Sequence, residues 1–556
     1  MSHIFLTGFM GAGKSTVGRL VAERLGRPFV DLDALIEERE AASVSEIFRL
    51  RGEEGFRLAE HDALAALGAS ADAVIATGGG VILREDNRVV LRQLGTVVYL
   101  AVTPEVAIAR LGDAADRPLL AGAGLPAARA ILDARLNLYT STADHVVDTV
   151  GREAADVAAS VVAAIDPAST PQAIRVTGEA GASYEVVVGH DVLDSLGERV
   201  RAITGSGSVA LISDENVHGL FGERARAALE RAGCTVSEHV IPPGEEWKSW
   251  ATAGRLLEDL AAAGVDRASC VIALGGGVVG DLAGFCASAY MRGIPVLQVP
   301  TTLLAQVDSA IGGKTGVDLE AGKNLAGAFW PPCLVLADTG LLGTLPVAEW
   351  TNGLVEAAKA ALLESGDALE LFESRVQGLL ARDAAAVRAA VADAAAFKAR
   401  VVSADLRESD ERECLNLGHT LGHALEVVAG YGMLPHGLAV AEGMRFAAAL
   451  AERLVDASPR CSRRTDALLG GIGASRHDFL ERVRPVLGEL APDALLQAMK
   501  SDKKARGGVV RFVLLERPGV WSAVAVADGI VREALVEWRA ALDAEQSGAM
   551  SPDTEV

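Results

Sequence analysis

The stretch GFMGAGKST, residues 8–16, has the residue types and spacing of a loop that binds a nucleoside triphosphate. Its glycines, Lys14 and Ser15 satisfy the pattern GxxxxGK[ST], between a predicted strand at residues 4–6 and a predicted helix. In such a loop the backbone N–H groups surround phosphate oxygens, the lysine reaches the terminal phosphates, and the serine hydroxyl ligates magnesium. The residues expected to contact the nucleotide are Gly11, Ala12, Gly13, Lys14, Ser15 and Thr16.

Three further stretches supply groups that could bind an acceptor. Asp31 and Asp33 end the second predicted strand, where one carboxylate could support magnesium and the other orient a hydroxyl. A helix N-cap is the alternative role for this pair. Arg57 and the TGGG turn, residues 77–80, add a guanidinium and a backbone that a ligand can approach closely. Arg117 lies in a polar stretch that suits a mobile lid over a transferring phosphate.

Taken in this order, the motifs resemble those of shikimate kinases, over residues 1–165. The resemblance implies phosphorylation of the 3-hydroxyl of shikimate by ATP with Mg²⁺. It implies that Asp33 binds the shikimate hydroxyls, that Asp31 and Ser15 hold magnesium, and that Arg117 is the lid arginine. The other implied contacts are Arg110 with adenine, and Arg57, Arg135, Gly78, Gly79 and Gly80 with the shikimate carboxylate and ring. Arginine donors and an aspartate suit a carboxylated triol, although another P-loop kinase, such as a gluconate kinase, remains the alternative.

A second glycine-rich turn lies near the middle of the chain, in ALGGGVVGDL from Ala273. Its glycines follow a predicted strand and open a predicted helix, as in a turn that binds a dinucleotide pyrophosphate, although the GxGxxG fingerprint is absent. A packing turn is the alternative interpretation. Glu245 and Lys248 follow another predicted strand and could bind ribose hydroxyls. The downstream stretch 300–324 carries clustered lysines, which need an anion to offset their mutual repulsion.

Histidines are concentrated in the later part of the chain. Three of the ten lie between residues 419 and 436, and His419 and His423 are spaced to face the same way on a helix. Glu356, with Lys359 one turn later, offers a carboxylate. Two histidines and a carboxylate that leave one coordination position open are typical of catalytic zinc. The alternative is that these histidines belong to a core or cap a helix.

These motifs together resemble 3-dehydroquinate synthase, over residues 172–540. The resemblance implies zinc, or cobalt, bound by Glu356, His419 and His436. The implied NAD contacts are Glu245, Lys248, Gly276, Gly277, Val278, Val279, Gly280, Asp281, Thr301, Thr302, Lys314 and Lys323. The implied contacts with the phosphorylated heptulosonate are Lys323, Asn324, Lys398, Arg412, Asn416, His423 and Lys503, with Lys504 left open as the alternative to Lys503. Implied catalytic residues of this site are Lys314, His423, Lys359, Arg292 and Asp308, beside Lys14, Asp33 and Arg117 of the kinase site.

The implied reaction converts 3-deoxy-arabino-heptulosonate 7-phosphate to 3-dehydroquinate and phosphate. Oxidation at carbon 5 by NAD acidifies the neighbouring proton, so that phosphate can leave before the hydride returns, the ring opens and an aldol step closes the carbocycle. Metal bound to the hydroxyl pair lowers its pKa. A cyclase for a different sugar phosphate, or a metal-dependent polyol dehydrogenase, remains the alternative.

Composition restricts the partners and the compartment. The net charge of −22 argues against general nucleic-acid binding, since phosphate backbones attract basic patches. The six cysteines include no CxxC pair, and no signal peptide or membrane segment is predicted, which favours a cytoplasmic protein. The resemblance to the synthase implies a homodimer formed through that half.

The chemistry must be positioned by an α/β fold. Alternating strands and helices predict a P-loop kinase domain over residues 1–165, with a parallel sheet and helices on both faces. The Pro- and Ser-containing stretch 166–174 is predicted to be a linker. A dinucleotide-binding α/β domain is predicted over 175–340, followed by a mainly helical metal- and substrate-binding domain over 341–545. The last residues, 546–556, are predicted to be a disordered tail.

Overall fold

The computed structural model describes residues 3–69, 71–111, 124–165, 171–178, 183–205, 207–408, 410–430, 432–501 and 509–546. The chain divides into two compact units, Met1–Thr170 and Pro171–Val556. Arg117, Lys503, Lys504, and residues 166–170 and 547–556 of the predicted linker and tail lie outside the described residues.

The first unit is built on a five-stranded parallel sheet with the strand order β2-β3-β1-β4-β5. Its strands are β1 (His3–Thr7), β2 (Phe29–Asp31), β3 (Val74–Ala76), β4 (Gly95–Ala101) and β5 (His145–Asp148). Its helices are α1 (Lys14–Leu25), α2 (Leu32–Glu40), α3 (Val44–Ala66), α4 (Glu85–Leu94), α5 (Pro104–Leu111), α6 (Gly124–Thr142) and α7 (Ala154–Ile165). β1 is buried along its whole length and lies at the centre of the sheet, which fits the apolar run Ile4, Phe5 and Leu6 in its middle.

The second unit contains a seven-stranded sheet with the order β6-β7-β14-β11-β10-β8-β9, in which only the β6 and β7 pair is antiparallel. Two hairpins, β12 with β13 and β15 with β16, stand outside it. The strands are β6 (Gln172–Thr177), β7 (Ser183–Gly189), β8 (Ser208–Asp214), β9 (Thr235–Ile241), β10 (Cys270–Gly275), β11 (Val296–Pro300), β12 (Lys314–Leu319), β13 (Gly322–Phe329), β14 (Leu334–Asp338), β15 (Val510–Arg517) and β16 (Val520–Val526).

Helices flank this sheet and then dominate the rest of the unit. Those among the sheet strands are α8 (Leu196–Thr204), α9 (Glu215–Val217), α10 (Glu223–Arg231), α11 (Trp250–Ala262) and α12 (Gly277–Ala289). Those that follow are α13 (Val347–Glu364), α14 (Gly366–Leu380), α15 (Ala384–Ala404), α16 (His419–Ala429), α17 (His436–Leu454), α18 (Pro459–Gly471), α19 (Arg476–Val483), α20 (Pro492–Ser501) and α21 (Asp528–Gln546).

The predicted fold class is confirmed, and the structure adds detail that the pattern did not reveal. Residues 172–174 of the predicted linker belong to β6, because they pair with β7 along the edge of the sheet. The mainly helical segment also contains the β15 and β16 hairpin. One core includes Val186 and Val335 of the sheet together with Leu354 and Leu425 of the helices, so residues on both sides of the predicted boundary at 340 share it.

Two further expectations concern cysteines and membranes. None of the six cysteines, all of which lie in the described residues, forms a disulfide. Among the described residues, no helix combines the length and the apolar character needed to cross a bilayer.

Candidate active sites

The loop between β1 and α1 has the backbone geometry of a phosphate-binding turn. Gly13, directly before α1, has φ of 87°, and a Cβ at Gly11 would lie 2.6 Å from the carbonyl oxygen of Ala107, so both positions favour glycine. Lys14 Nζ donates to the carbonyl oxygens of Gly8 at 2.9 Å and Phe9 at 3.1 Å. The lysine ammonium is therefore held over the loop that begins α1, where a phosphate would bind.

Ser15 and Asp31 come together beside this loop. The Ser15 hydroxyl donates to Asp31 Oδ2 at 2.7 Å, and Asp31 Oδ1 accepts from the backbone N–H of Asp33 at 3.1 Å. Asp31 therefore caps α2 and also turns an oxygen toward the serine. A hydroxyl and a carboxylate in contact beside a phosphate loop suit a hydrated magnesium ion.

Acidic and basic side chains converge on the turn after β3. A Cβ at Gly80 would lie 2.5 Å from Cζ of Arg57, and one at Gly78 would lie 2.9 Å from Oδ1 of Asp33 and 3.0 Å from Oε1 of Glu60. Arg57 donates to Glu60 Oε2 at 2.9 Å. Glu60 is fully buried, its Oε1 has no partner among the described residues, and burial raises its pKa. The turn can therefore present backbone, guanidinium and carboxylate groups to one small polar molecule.

Two side chains of α6 hold the carbonyl oxygen of Gly79 in this turn. Tyr139 donates its hydroxyl to this oxygen at 2.5 Å, and Arg135 donates to it at 3.2 Å. The Tyr139 ring is buried and stacks on Tyr99 with 4.9 Å between ring centroids. Burial raises the pKa of Tyr139 to about 12, so its hydroxyl keeps its proton at neutral pH.

Three other predicted nucleotide contacts lie outside the acceptor group. Arg110 binds the backbone oxygen of Thr149 at 2.6 Å and the hydroxyl of Thr149 at 3.1 Å. Thr16 is exposed on the first turn of α1, whereas Ala12 is buried.

Glu356, His419 and His436 form a compact group of possible metal ligands in the second unit. One ligand atom from each lies within 4.8 Å of the others. Glu356 Oε1 is 3.7 Å from Nε2 of His419 and 3.6 Å from Nε2 of His436. Glu356 is buried: its Oε2 forms an ion pair with Lys359, whereas its Oε1 accepts no hydrogen bond from the described residues. A divalent cation fits this group because it would satisfy Oε1 and use both Nε2 atoms.

Close helix packing brings the three ligands together. A Cβ at Gly437 would lie 2.6 Å from Cα of Asn352, and the Asn352 side chain accepts from the Gly437 N–H at 2.8 Å. This contact joins the start of α17 to α13, one turn before Glu356. A Cβ at Gly443 would lie 2.8 Å from the carbonyl carbon of Gly418, so α16 and α17 also touch backbone to backbone.

The second ring nitrogen of each histidine ligand is anchored. Nδ1 of His419 lies 3.1 Å from the carbonyl oxygen of Leu417, and Nδ1 of His436 lies 3.4 Å from Oε1 of Glu426. Burial opposes the charged form of His436, but Glu356 and Glu426 outweigh it and raise its pKa to about 10 in the metal-free chain. The ring centroid of His423 is 5.3 Å from that of His419. All three histidines therefore face one small space.

The glycine turn after β10 faces two hydroxyl side chains. A Cβ at Gly276 would lie 3.0 Å from Cγ2 of Thr302, and one at Gly277 would lie 3.3 Å from Oγ of Ser309. The hydroxyls of Thr301 and Ser309 are buried and lack a partner among the described residues. Val278, Val279 and Gly280 continue into the first turn of α12. A helix N-terminus, small backbone and unsatisfied hydroxyls suit a pyrophosphate.

A network of acidic and basic residues lies beside this turn. Lys248 Nζ donates to Asp281 Oδ2 at 2.6 Å, and Glu245 Oε1 is 4.0 Å from Lys248 and 3.6 Å from Lys323. Burial disfavours the charged form of Lys248, but Asp281 and Glu245 outweigh it and raise its pKa. Lys248, a predicted ribose contact, is therefore already paired with Asp281. Glu245, the other predicted ribose contact, is more exposed than Lys248.

A second group of charges lies between α15 and the β12 and β13 hairpin. Lys398 forms an ion pair with Asp308, and Lys314 forms one with Glu408 at 2.5 Å. Glu408 also accepts from Asn416 at 3.1 Å. Burial and the nearby guanidinium of Arg412 lower the pKa of Lys314 to about 8.

Arg412 is fully buried beside this group. It donates to the carbonyl oxygens of Leu406 at 2.5 Å and Gly312 at 3.4 Å, and its Nε has no partner among the described residues. Burial would raise the pKa of Asp308, but Lys398 and Lys359 outweigh it and hold that pKa well below its usual value. The excess of cations suits an anionic ligand.

Comparison with known proteins covers both units. Residues 10–166 match the family model of shikimate kinase, residues 238–352 match 3-dehydroquinate synthase N-terminal, and residues 353–505 match 3-dehydroquinate synthase C-terminal. The 3-dehydroquinate synthase of Salinibacter ruber is 46% identical over 320 residues, which are 56% of this chain and 83% of that protein. That of Caulobacter vibrioides is 45% identical over 355 residues, which are 64% of this chain and 94% of that protein.

The chain belongs to the 3-dehydroquinate synthase family. It also carries a shikimate kinase domain, so it is a bifunctional enzyme of the shikimate pathway. A solved 2-deoxy-scyllo-inosose synthase is 27% identical and covers 66% of this chain and 99% of its own, with a TM-score of 0.58.

Two predicted residues of the synthase part have positive φ. Arg292 is exposed in a turn after α12, with φ of 70°, and no hydrogen bond or ion pair joins it to the other described residues of the site. Asn324 has φ of 55° on the β12 and β13 hairpin, where its N–H donates to Asp318 at 2.7 Å.

Several residues at the kinase and synthase sites were not identified from the sequence, among them Ser309 beside the glycine turn. Glu60 is three residues after Arg57, and Glu426 is seven residues after His419 on the same face of α16, so helical spacing could have indicated both. Tyr139 is four residues after Arg135 on α6, which gives the same kind of signal. Glu408 lies in a loop at φ of 60°, and no periodicity could have indicated it.

Proposed function

We propose that the kinase domain binds shikimate at the turn formed by Gly78, Gly79 and Gly80. The observation that carries this assignment is the convergence of Arg57, Asp33 and Glu60 on that turn. A guanidinium suits the carboxylate of shikimate, and an aspartate suits its neighbouring hydroxyls. Arg135, held beside Gly79, supplies a second guanidinium for the same carboxylate.

ATP would then bind with its phosphates over residues 11–16. Ser15 and Asp31 would hold magnesium, which would neutralise charge on the phosphates when bound. Lys14 would exchange its loop carbonyl partners for the terminal phosphate oxygens, and Asp33 would accept hydrogen bonds from the acceptor hydroxyl. We assign Arg117 to the lid and Arg110 to the adenine side from the family resemblance.

The synthase part would convert 3-deoxy-arabino-heptulosonate 7-phosphate to 3-dehydroquinate and phosphate. Glu356, His419 and His436 would hold the metal, and the turn at Gly276 and Gly277 would hold NAD. When bound, zinc or cobalt would lower the pKa of the substrate hydroxyls, and NAD would accept and return one hydride. One solved 2-deoxy-scyllo-inosose synthase is complexed with carbaglucose-6-phosphate, NAD+ and Co2+, which supports both cofactors here.

The residues of the chain would bind and orient this substrate. Arg412 and Lys398 would bind its carboxylate, and Lys314, Lys323, Asn324 and Asn416 would bind its phosphate and hydroxyls. His423 faces the metal ligands and would hold or transfer a proton at the substrate. Lys359 keeps Glu356 ionised and, through the carbonyl of Leu415 at 2.8 Å, holds the segment that carries Asn416. Asp308 would orient Lys398 through their ion pair. Arg292 and Lys503 are assigned from the resemblance alone.

Buried cations favour the heptulosonate over the substrates of other cyclases. A cyclase for a sugar phosphate that lacks a carboxylate, or a polyol dehydrogenase, has no carboxylate to bind, and a buried Arg412 would then be costly. For the first unit, the alternative function is a gluconate kinase.

The decisive experiment assays the purified chain for each reaction. ADP formation is compared with shikimate and with gluconate, and phosphate release is measured from the heptulosonate with and without NAD and zinc. We expect turnover with shikimate, and NAD-dependent phosphate release that consumes no NAD. Turnover with gluconate alone, or full activity of Arg412→Ala on the heptulosonate, would contradict the assignments.

We also propose a cytoplasmic homodimer formed through the synthase part. Six cysteines that form no disulfide suit a reducing compartment, and the dimer follows from the family resemblance. Light scattering should give twice 57.6 kDa for the whole chain. A monomeric mass at micromolar concentration would contradict the dimer, and recovery of the protein outside the cytoplasmic fraction would contradict the location.

A further inference from the structure

The two histidines in the metal-ligand group are anchored by different partners. Nδ1 of His419 faces a backbone carbonyl oxygen, that of Leu417, at 3.1 Å. Nδ1 of His436 faces a carboxylate, Oε1 of Glu426, at 3.4 Å. In both cases Nε2 is left toward Glu356, at 3.7 Å and 3.6 Å. Each ring therefore has an acceptor at Nδ1, a backbone carbonyl for His419 and a carboxylate for His436.

We propose that Glu426 is a positioning residue for the metal, acting through His436. This inference rests on the proposed metal site and adds a residue that contacts neither the metal nor the substrate. A neutral imidazole offers one lone pair, so an acceptor at Nδ1 keeps the proton there and leaves Nε2 free to bind a cation.

Burial makes the anchor effective. The Glu426 side chain is 13% exposed and that of His436 is 30% exposed, whereas the neighbouring Val427 is 50% exposed. Water therefore competes poorly for Nδ1 of His436. His436 also begins α17, where the backbone has no preceding turn to orient its ring. A partner on α16 supplies that orientation and links the helices that carry His419 and His436.

Charge gives a second reason for a carboxylate at this position. A divalent cation held by one carboxylate and two neutral imidazoles keeps a net positive charge. A carboxylate behind one imidazole raises the basicity of that ligand and offsets part of the charge. Removal of such a partner lowers metal affinity by about 10- to 100-fold in other metal sites.

The test compares zinc affinity in the full-length chain and its variants by competition with a chromophoric chelator. Glu426→Ala removes the acceptor, and Glu426→Gln keeps an oxygen of similar reach without the charge. Glu373→Gln is the matched control, because Glu373 is also partly buried and forms a bidentate pair with Arg464 away from the histidines. We expect a loss of about 10- to 100-fold for Glu426→Ala, a smaller loss for Glu426→Gln, and none for the control.

Two further readouts separate positioning from a general effect on folding. Each metal-free variant should keep one cooperative thermal transition, while the increase in the midpoint caused by zinc should be smaller in Glu426→Ala than in the wild type and the control. The visible absorption bands of bound Co²⁺ should shift in Glu426→Ala and not in the control. Should Glu426→Ala fail to fold, Glu426→Gln carries the same comparison.

The outcomes distinguish this inference from the metal site itself. Wild-type zinc affinity in both Glu426 variants would overturn the positioning role and leave the metal site intact. An equal loss in Glu373→Gln would also overturn it. A wild-type chain that binds no stoichiometric zinc or cobalt would overturn the metal site and the inference together.

Discussion

The contact between Gly80 and Arg57 gives a sharp test of the shikimate site. Gly80 has φ of −109°, so alanine fits the backbone there without strain. Its Cβ, however, would lie 2.5 Å from Cζ of Arg57, and the guanidinium would have to move. If Arg57 binds the substrate carboxylate, Gly80→Ala should lose charge-assisted hydrogen bonds of about 1.5–3 kcal/mol in total.

This energy corresponds to a fall of about 10- to 150-fold in kcat/KM for shikimate. The KM for ATP should stay close to wild type, since the phosphate loop is not touched. The assay couples ADP formation to NADH oxidation while shikimate and ATP are varied in turn. Arg57→Ala should show a similar loss, and the double variant should be no worse than Arg57→Ala alone, because the added methyl group then has nothing to displace.

Additive losses in the double variant would show that the methyl group added at Gly80 acts through something other than Arg57. Wild-type kinetics for Gly80→Ala would refute the proposed position of the guanidinium. A selective rise in the KM for ATP would place the acceptor site elsewhere.

Three other predictions follow from the two sites. Tyr139→Phe removes the donor to the Gly79 carbonyl and should lower kcat/KM for shikimate several-fold, about 1 kcal/mol, without changing the KM for ATP; an unchanged value would make this hydrogen bond irrelevant to binding. Lys314 is charged below about pH 8 and neutral above it, so kcat/KM for the heptulosonate should fall as the pH rises through that value. Lys314→Arg should lose this alkaline limb, and an identical pH profile would contradict the assignment. Gly437→Ala would place a Cβ 2.6 Å from Cα of Asn352 and should separate α17 from α13, so bound zinc should fall relative to wild type when measured by atomic emission.

The sequence predicted the features that depend on local spacing. The phosphate loop follows from glycines, Lys14 and Ser15 at fixed intervals, and the apolar run before it predicts the strand that the structure shows as β1. His419 and His423 share a helix face because they are four residues apart, and the structure brings His436 and Glu356 to the same place.

Features that depend on long-range packing were not predictable in this way. The linker predicted over 166–174 includes the first residues of edge strand β6, because they follow a Pro- and Ser-containing stretch and only pairing with β7 makes them a strand. The β12 and β13 hairpin is rich in glycine and lysine, a composition typical of loops. Glu60 and Glu426 look like ordinary solvated helix residues until the fold buries them against Arg57 and His436.

The central claim is that one chain carries two independent active sites. The most direct test assays wild type, Lys14→Ala and His419→Ala for shikimate phosphorylation and for phosphate release from the heptulosonate, with bound zinc measured in the same samples. We predict that Lys14→Ala loses only the kinase reaction and keeps its zinc, whereas His419→Ala loses zinc and only the synthase reaction. Loss of both reactions from either substitution in a folded protein, or retention of synthase activity in a zinc-free His419→Ala, would contradict the account.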